Sequence, residues 1–576
     1  MNHRRRLSVF FILWIIALLA LSLSETEGIP GNPAETKTPA SGDWIVARVY
    51  FSDRSVLNRL AEYLDIFEVH HPEKYIVAML SPEQYQNLQT KGLRLEMDPI
   101  VTRQVNLAHK FPRPWTEVVQ QYPCYRSVDE IYASMSHLAN QYPGIASWNN
   151  IGDSWEKWSS GGTKGYELKV LVLTNQSKPS SGKSKFFLMG AIHAREMAAG
   201  EAAARFAEVL AAEYGRNPDV TWILDYGEVH IMPIANPDGR KWVEQGLTWH
   251  RKNTNTNGGA CPVVPPSTLI GTDLNRNNSS HWGEAGSSPL PCDETYRGSA
   301  AASEPETKAI QDYLTSTFPD QRGPNVEDPA PPNATGLFIT LHSYGNLVLF
   351  PWGWTNQMVP NHSALQTRGR KFAFFNHYTV QQAYSLYPTS GTTDDWVYDA
   401  LGVASFTFEV GPYGNFSPDC QIFEEVIWKD NLAALLYAAK AARTPYQTPA
   451  GPEMINVDTD KHAVIAGTRV YLNAIGNDNR FYGGAEPYQP LQAARYSVDA
   501  CSWSPGAVLL PLAAKDGSFN AEVEVVEAWI DTTGWMPGRH ILLLEGKDAD
   551  GIWGPPTAVF LDILNSHRSW LPVILN

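Results

Sequence analysis

The chain has 576 residues, enough for several domains, and its 43% hydrophobic and 18% charged residues describe a globular protein rather than a disordered one. A net charge of −15 argues against nucleic acid as a partner, since that binding needs clustered Lys and Arg. The charge is compatible with cationic substrates, although solubility alone accounts for it.

Residues 1–24 read as an export signal: Arg4-Arg5-Arg6 is a basic start, Val9 to Leu21 an apolar run, and Ser22-Leu23-Ser24 a small-residue exit. The apolar run falls short of the roughly 20 residues a spanning helix needs, and no later segment is long and apolar enough, so no stable membrane span is expected. A secreted, extracellular protein follows, with an oxidising surrounding for its five Cys.

After a Pro/Gly/Ser/Thr-rich linker, residues 43–99 predict a small α+β unit in the order β-α-β-β-α-β, a ferredoxin-like plan. Residues 100–123 form a connector, expected to be irregular, whose exposed Arg103, Lys110 and Arg113 suit proteolytic nicking. Residues 124–442 alternate strands and helices. The strand candidates are Leu168 to Leu173, Lys185 to Met189, Glu228 to Met232, Gly336 to Leu341 and Val403 to Glu409. This pattern predicts an α/β domain whose mixed sheet is covered by helices on both faces, with ligands bound beyond strand ends. After a second linker, residues 453–564 lose helical periodicity and read as an antiparallel β-sandwich; 565–576 is an apolar tail.

The chemistry lies at strand exits. His193 and Glu196 follow the strand at Lys185 to Met189, and two metal-capable side chains three apart can converge on one ion. The spacing alone is weak, because His70 and Glu73 share it and about one such match is expected by chance. His342, at the exit of another strand, is a natural third ligand, and two His with one carboxylate leave tetrahedral zinc an open position for water. Glu409 ends an apolar strand, where a carboxylate is costly to bury without a partner, and beside an activated water it suits a general base. Arg251 and Arg276 fall in loops between these strands, and the Arg fork is suited to carboxylates.

HARE at 193–196, NPDG at 236–239, WHRK at 249–252, TDLNRN at 272–277, CDETYRG at 292–298, LHSY at 341–344, LYPTSG at 386–391, DDW at 394–396 and FTFE at 406–409 occur in one order. With them the chain strongly resembles the zinc metallocarboxypeptidases of the carboxypeptidase A/B type, and in particular their secreted bacterial relatives. The resemblance implies one zinc ion held by His193, Glu196 and His342, and attack of zinc-bound water on the last peptide bond of a peptide or protein C-terminus. It makes Glu409 the general base and acid, Arg251 the group that polarises the scissile carbonyl, Asn275 and Arg276 the clamp on the terminal carboxylate, and Tyr387 a mobile cover. Arg195 matches a position near the substrate path, and Asp394 the floor of the pocket for the terminal side chain, favouring Lys or Arg. Against that preference, Trp352 and Trp354 offer apolar surfaces, which would make the specificity mixed.

The resemblance further implies that 43–99 is a pro-segment removed by an activating protease, that Cys261 pairs with Cys292, and that the enzyme acts as a monomer. Pairing of Cys124 with Cys420, leaving Cys501 over, is the remaining arrangement favoured. Two alternatives stand beside this reading: a related amidohydrolase acting on cell-wall peptides, and a catalytically inactive protein that uses the cleft and the β-rich region for adhesion.

Overall fold

The computed structural model describes residues 44–565 except 111–122, 262, 265–266, 413, 415, 448–450 and 485–487. The expected signal 1–24, half of the connector (111–122) and nearly all of the tail lie outside the described residues.

The first unit contains β1 (Ile45–Tyr50), α1 (Arg54–Ala61), β2 (Asp65–His70), β3 (Tyr75–Leu80), α2 (Pro82–Thr90) and β4 (Leu95–Met97). Its sheet runs β2-β3-β1-β4 with every pair antiparallel. Local chemistry sets the helix starts: the Asp53 side chain accepts from Ser55 and Val56 amides, and Ser81 with Gln84 forms a capping box ahead of Pro82. Ile45, Ala47, Val49, Leu57, Leu60 and Ile76 alternate or recur onto one core.

The connector departs from the irregular segment expected, because its first part is a helix, α3 (Pro99–Lys110). The short β4 pairs with β1 only from Ala47 to Val49. Side chains of α3 take up backbone groups further along that edge: Thr102 accepts from the Val46 amide at 2.9 Å and Asn106 from the Trp44 amide at 2.9 Å.

The large α/β unit is built on eight strands: β5 (Ala146–Asp153), β6 (Glu167–Leu173), β7 (Ser184–Gly190), β8 (Gly227–Met232), β9 (Leu337–His342), β10 (Leu347–Phe350), β11 (Thr379–Gln382) and β12 (Ala404–Glu409). Their order is β11-β10-β12-β9-β7-β8-β6-β5. Strands β12, β9, β7 and β8 are mutually parallel, and β5, β6 and β10 run antiparallel to neighbours, so the sheet is mixed. Continuous apolar runs such as Phe186 to Met189 are what a sheet buried on both faces demands. One face is covered by α4 (Val128–Gln141), α5 (Met197–Glu213), α6 (Pro218–Tyr226) and α9 (Trp428–Ala441). The other receives α7 (Pro305–Thr317) and α8 (Thr393–Leu401), through Ile310, Leu314, Trp396, Val397 and Leu401. Small residues let α5 sit close: a Cβ at Gly190 would stand 2.7 Å from the Ala199 carbonyl oxygen.

The C-terminal unit is β-rich, with eight strands between Glu453 and Leu564 and inward-facing Val470, Leu472, Val526, Leu542, Leu544 and Leu561. It is joined to the α/β unit by buried groups. Lys371, fully buried, donates to Glu453 Oε1 at 3.1 Å, and Arg480 Nε donates to Glu453 Oε2 at 2.7 Å. Disulfides link Cys124 to Cys420 and Cys261 to Cys292; Cys501 is a buried free thiol.

Candidate active site

Three neighbouring strands end at one place. Leu341 is level with Gly190 across β9 and β7, and His342 is level with Glu409 across β9 and β12. The loop after Gly190 carries His193 and Glu196 over the same end, held by the Ala194 amide donating to the Arg251 carbonyl at 3.0 Å. His193, Glu196 and His342 are all buried, with ligand atoms within 4.8 Å of one another. His193 Nδ1 lies 2.7 Å from Glu196 Oε1 and 3.1 Å from His342 Nδ1, which is itself 3.1 Å from Glu196 Oε2. Two imidazole nitrogens and a carboxylate aimed at one point are the donor set of a zinc site with an open position.

The electrostatics of the cluster are coherent. Burial alone would raise the Glu196 carboxyl, but the two imidazoles hold it well below its ordinary value. Burial lowers His193, with Arg251 adding to the effect, whereas the Glu196 charge overcomes burial and raises His342. Glu409 is pushed up to about 7, by burial first and by Glu196, against the pull of His342 and Arg251.

The two arginines in the loops are anchored differently. Arg251 donates through Nε and Nη2 to Asp273 Oδ2 at 3.0 and 2.9 Å. Arg276 donates through Nε to the Gly286 carbonyl and through Nη1 to the Asn275 carbonyl, both at 2.8 Å. Asn275 Oδ1 accepts from the Thr393 amide at 3.0 Å. The segment carrying Tyr387 passes close to this loop: at Gly391, with φ of +69°, a Cβ would lie 2.4 Å from the Arg276 carbonyl oxygen, so only glycine fits.

Asp394 is buried at the start of α8, its Oδ2 accepting from Thr407 Oγ1 at 3.0 Å. Among the described residues no Lys or Arg forms an ion pair with it. Asp395 instead points away, accepting from the Gly353 and Trp354 amides. Trp352 and Trp354 do not line the same cavity: Trp352 is fully buried against Tyr398, and Trp354 stacks on His281 at 3.7 Å. Their expected role as apolar walls beside Asp394 is therefore not seen.

All ten residues singled out from the sequence, His193, Arg195, Glu196, Arg251, Asn275, Arg276, His342, Tyr387, Asp394 and Glu409, line one cavity of about 80 Å3. By contrast, His70 is not among the residues lining that cavity; it lies 3.0 Å from Glu68 and stacks on Tyr75. Two participants escape a motif reading. Asp273, fully buried within TDLNRN, binds Arg251 and stands 3.3 Å from His193 Nε2; the only signal was an acid inside a run of clamp residues. Asp65, from β2, binds Arg195 through Oδ2 and Oδ1 at 2.6 and 2.7 Å, and residues 66–69 of that strand form part of the cavity wall.

Residues 131–434 match the zinc carboxypeptidase (Peptidase_M14) family model. The chain is 30% identical over 338 residues to carboxypeptidase A1 of Rattus norvegicus, covering 56% of this chain and 72% of that one. It is 31% identical over 311 residues to carboxypeptidase B of Bos taurus, covering 52% and 67%. The fold is similar to that of carboxypeptidase A from Helicoverpa armigera, with a TM-score of 0.57 and 21% identity over 70% of this chain and 99% of that one. Thrombin activatable fibrinolysis inhibitor has a similar fold as well, with a TM-score of 0.51 and 23% identity over 69% and 98%. By site, sequence and fold together, the chain belongs to the zinc carboxypeptidase family and is a metallocarboxypeptidase, a peptide hydrolase.

Proposed function

We propose that this metallocarboxypeptidase removes a C-terminal Lys or Arg from exported peptides and proteins, and that it is made as a covered precursor. The observation that carries the specificity is the buried Asp394 carboxylate, which lines the cavity with Thr407 for a partner and, among the described residues, no Lys or Arg in an ion pair with it. A carboxylate so placed favours a cationic terminal side chain, because an apolar one leaves its charge unpaired.

Zinc held by His193, Glu196 and His342 would supply Lewis acidity and a water that is nucleophilic near neutral pH. The chain's own residues then have separable tasks. Arg276 and Asn275 hold the terminal carboxylate, and the Arg fork favours this group over a neutral amide end. Arg251, steadied by Asp273, offers its guanidinium to the scissile carbonyl oxygen as negative charge grows there. Glu409, partly relieved of its charge by burial, takes a proton from the attacking water and returns it to the leaving amine. Tyr387 closes over the bound end of the substrate.

Residues 43–99 are the proposed cover. Phe67 packs between Trp249 and Phe416, at ring distances of 5.4 and 5.2 Å, and Asp65 occupies Arg195 beside the metal ligands. A cut by an activating protease within 100–123 would release it. Export through 1–24, an extracellular location, a sandwich form for 453–564 and a monomeric state complete the reading.

The deciding experiment is a panel of peptides differing only in the last residue, assayed on secreted, processed protein with one zinc per chain and again after chelation. Cleavage of Lys and Arg ends that stops on chelation and returns with zinc is expected. Preferential cleavage of Leu or Phe ends would refute the assignment to Asp394.

A further inference from the structure

The α/β unit and the C-terminal β unit line a second, half-open cavity, of about 200 Å3, which shares no residue with the catalytic cavity. Its walls include Lys440 and Arg443 at the end of the α/β unit and Arg495, Trp503, Glu545 and Trp553 from the β unit. Among the described side chains that line it, one cation is left over. Lys440 Nζ lies 2.9 Å from Asp219 Oδ2, and Arg495 Nε lies 2.8 Å from Glu545 Oε2, whose other oxygen accepts from Ser502 at 3.0 Å. Arg443 has no carboxylate within ion-pair distance among the described residues. Its Nη1 donates to the Gly182 carbonyl at 3.1 Å, and its guanidinium stands 4.6 Å over the Trp503 ring. Partial burial lowers the pKa of this half-buried guanidinium. Elsewhere in the cavity wall, Arg495 lies 3.7 Å over the Trp553 ring, which fixes that indole as a flat wall.

We propose that this cavity is a binding site for a small organic monoanion, a carboxylate on a planar or apolar body. The Arg443 fork matches a carboxylate, and the two indoles give the apolar body flat surfaces. The volume lies below the about 300 Å3 where drug-sized ligands begin, so the occupant is small. Because residues of both units line the cavity, an occupant also ties the β unit to the α/β unit.

The test is calorimetric titration of the full chain carrying Arg276→Gln, so that the catalytic clamp does not report. Phenylacetate is the probe, with phenylacetamide and glucose as neutral controls. Saturable binding of phenylacetate is expected, with each neutral compound at least about tenfold weaker. Adding Arg443→Gln should weaken phenylacetate about tenfold or more, while Arg443→Lys retains part of the affinity. Equal binding of the amide, or preference for glucose, would overturn the anion assignment; unchanged binding after Arg443→Gln would place the site elsewhere. No binding of phenylacetate up to about 10 mM would overturn it too. The carboxylate–amide comparison needs no change at Arg443, so it decides the matter even if Arg443→Gln fails to fold.

Discussion

The carboxylate of Asp65 closes on the guanidinium of Arg195 through two hydrogen bonds, of 2.6 and 2.7 Å, with both side chains buried. The two residues come from different structural units and are 130 positions apart. Breaking such a pair by removing one partner costs about 3–5 kcal/mol, mostly because the other charge stays buried. Asp65→Asn in the uncleaved chain should therefore loosen the first unit and raise peptidase activity before any processing. After proteolytic removal of residues 43–99 the variant and the parent should be equal. Equal, negligible activity of both uncleaved chains would show that this ion pair does not hold the cover.

Asp394→Ala should cut kcat/KM on C-terminal Lys and Arg by about 30-fold or more, the effect of about 2–5 kcal/mol when one member of a buried charge pair is lost. Activity on Leu or Phe ends should change little or rise, since an apolar floor replaces a charge. Thr407→Val, which removes the hydroxyl donor to Asp394, should weaken the discrimination without reversing it. Equal loss on both substrate classes would sink the assignment.

Glu409 should set the acid limb of kcat/KM. Its carboxyl is raised to about 7 by burial and by the charge of Glu196. A raised carboxyl stays protonated over more of the acid range, so activity should fall as pH drops towards and below that value. A bound dication pulls the same group downward, so the limb should lie at or below about 7 in the zinc-loaded enzyme and still above the ordinary Glu range. Glu409→Gln should lower kcat by about 10²–10⁴-fold at unchanged zinc content. An acid limb that survives in Glu409→Gln would belong to another group.

Glu453 should be a stability residue for both joined units. Its replacement by Gln leaves Lys371 buried with weakened compensation, at a cost of about 3–5 kcal/mol. Calorimetry should show the α/β and β-rich units melting together and at lower temperature. Replacing Lys371 and Glu453 together by Met should recover part of the loss, because the fully buried ammonium then vanishes with its partner, while the less buried Arg480 still loses its carboxylate. A double variant as unstable as Glu453→Gln would contradict this account.

The strands that place the site were legible because they are buried on both faces and read as mainly apolar runs, broken only by Thr340, Ser405 and Thr407: Phe186 to Met189, Leu337 to Leu341 and Ala404 to Phe408. The strands at the two ends of the sheet were not. Ala146 to Asp153 and Thr379 to Gln382 are rich in polar residues, and only pairing with a neighbour makes them strands. The helix from Pro99 was hidden for a similar reason, since its Thr102 and Asn106 face a sheet edge rather than a core. At the site, residues inside local runs could be named in advance, whereas Asp65 and Asp273 owe their roles to partners distant in the chain. Trp352 illustrates the opposite error: an apolar surface legible in the sequence is spent on the core against Tyr398 and does not line the pocket.

The Cys124–Cys420 bridge turns 296 positions of chain into a covalent ring. All ten residues singled out from the sequence, from His193 to Glu409, lie within that ring, while Asp65, the cavity-wall residues 66–69 and the β-rich unit lie outside it. In the chain-entropy picture, closing a loop of this length disfavours the unfolded state by about 6 kcal/mol. The topology has a second effect. A single nick in any surface loop between the two cysteines leaves both pieces in one molecule, so the machinery for cutting peptides is itself guarded against dispersal by a cut.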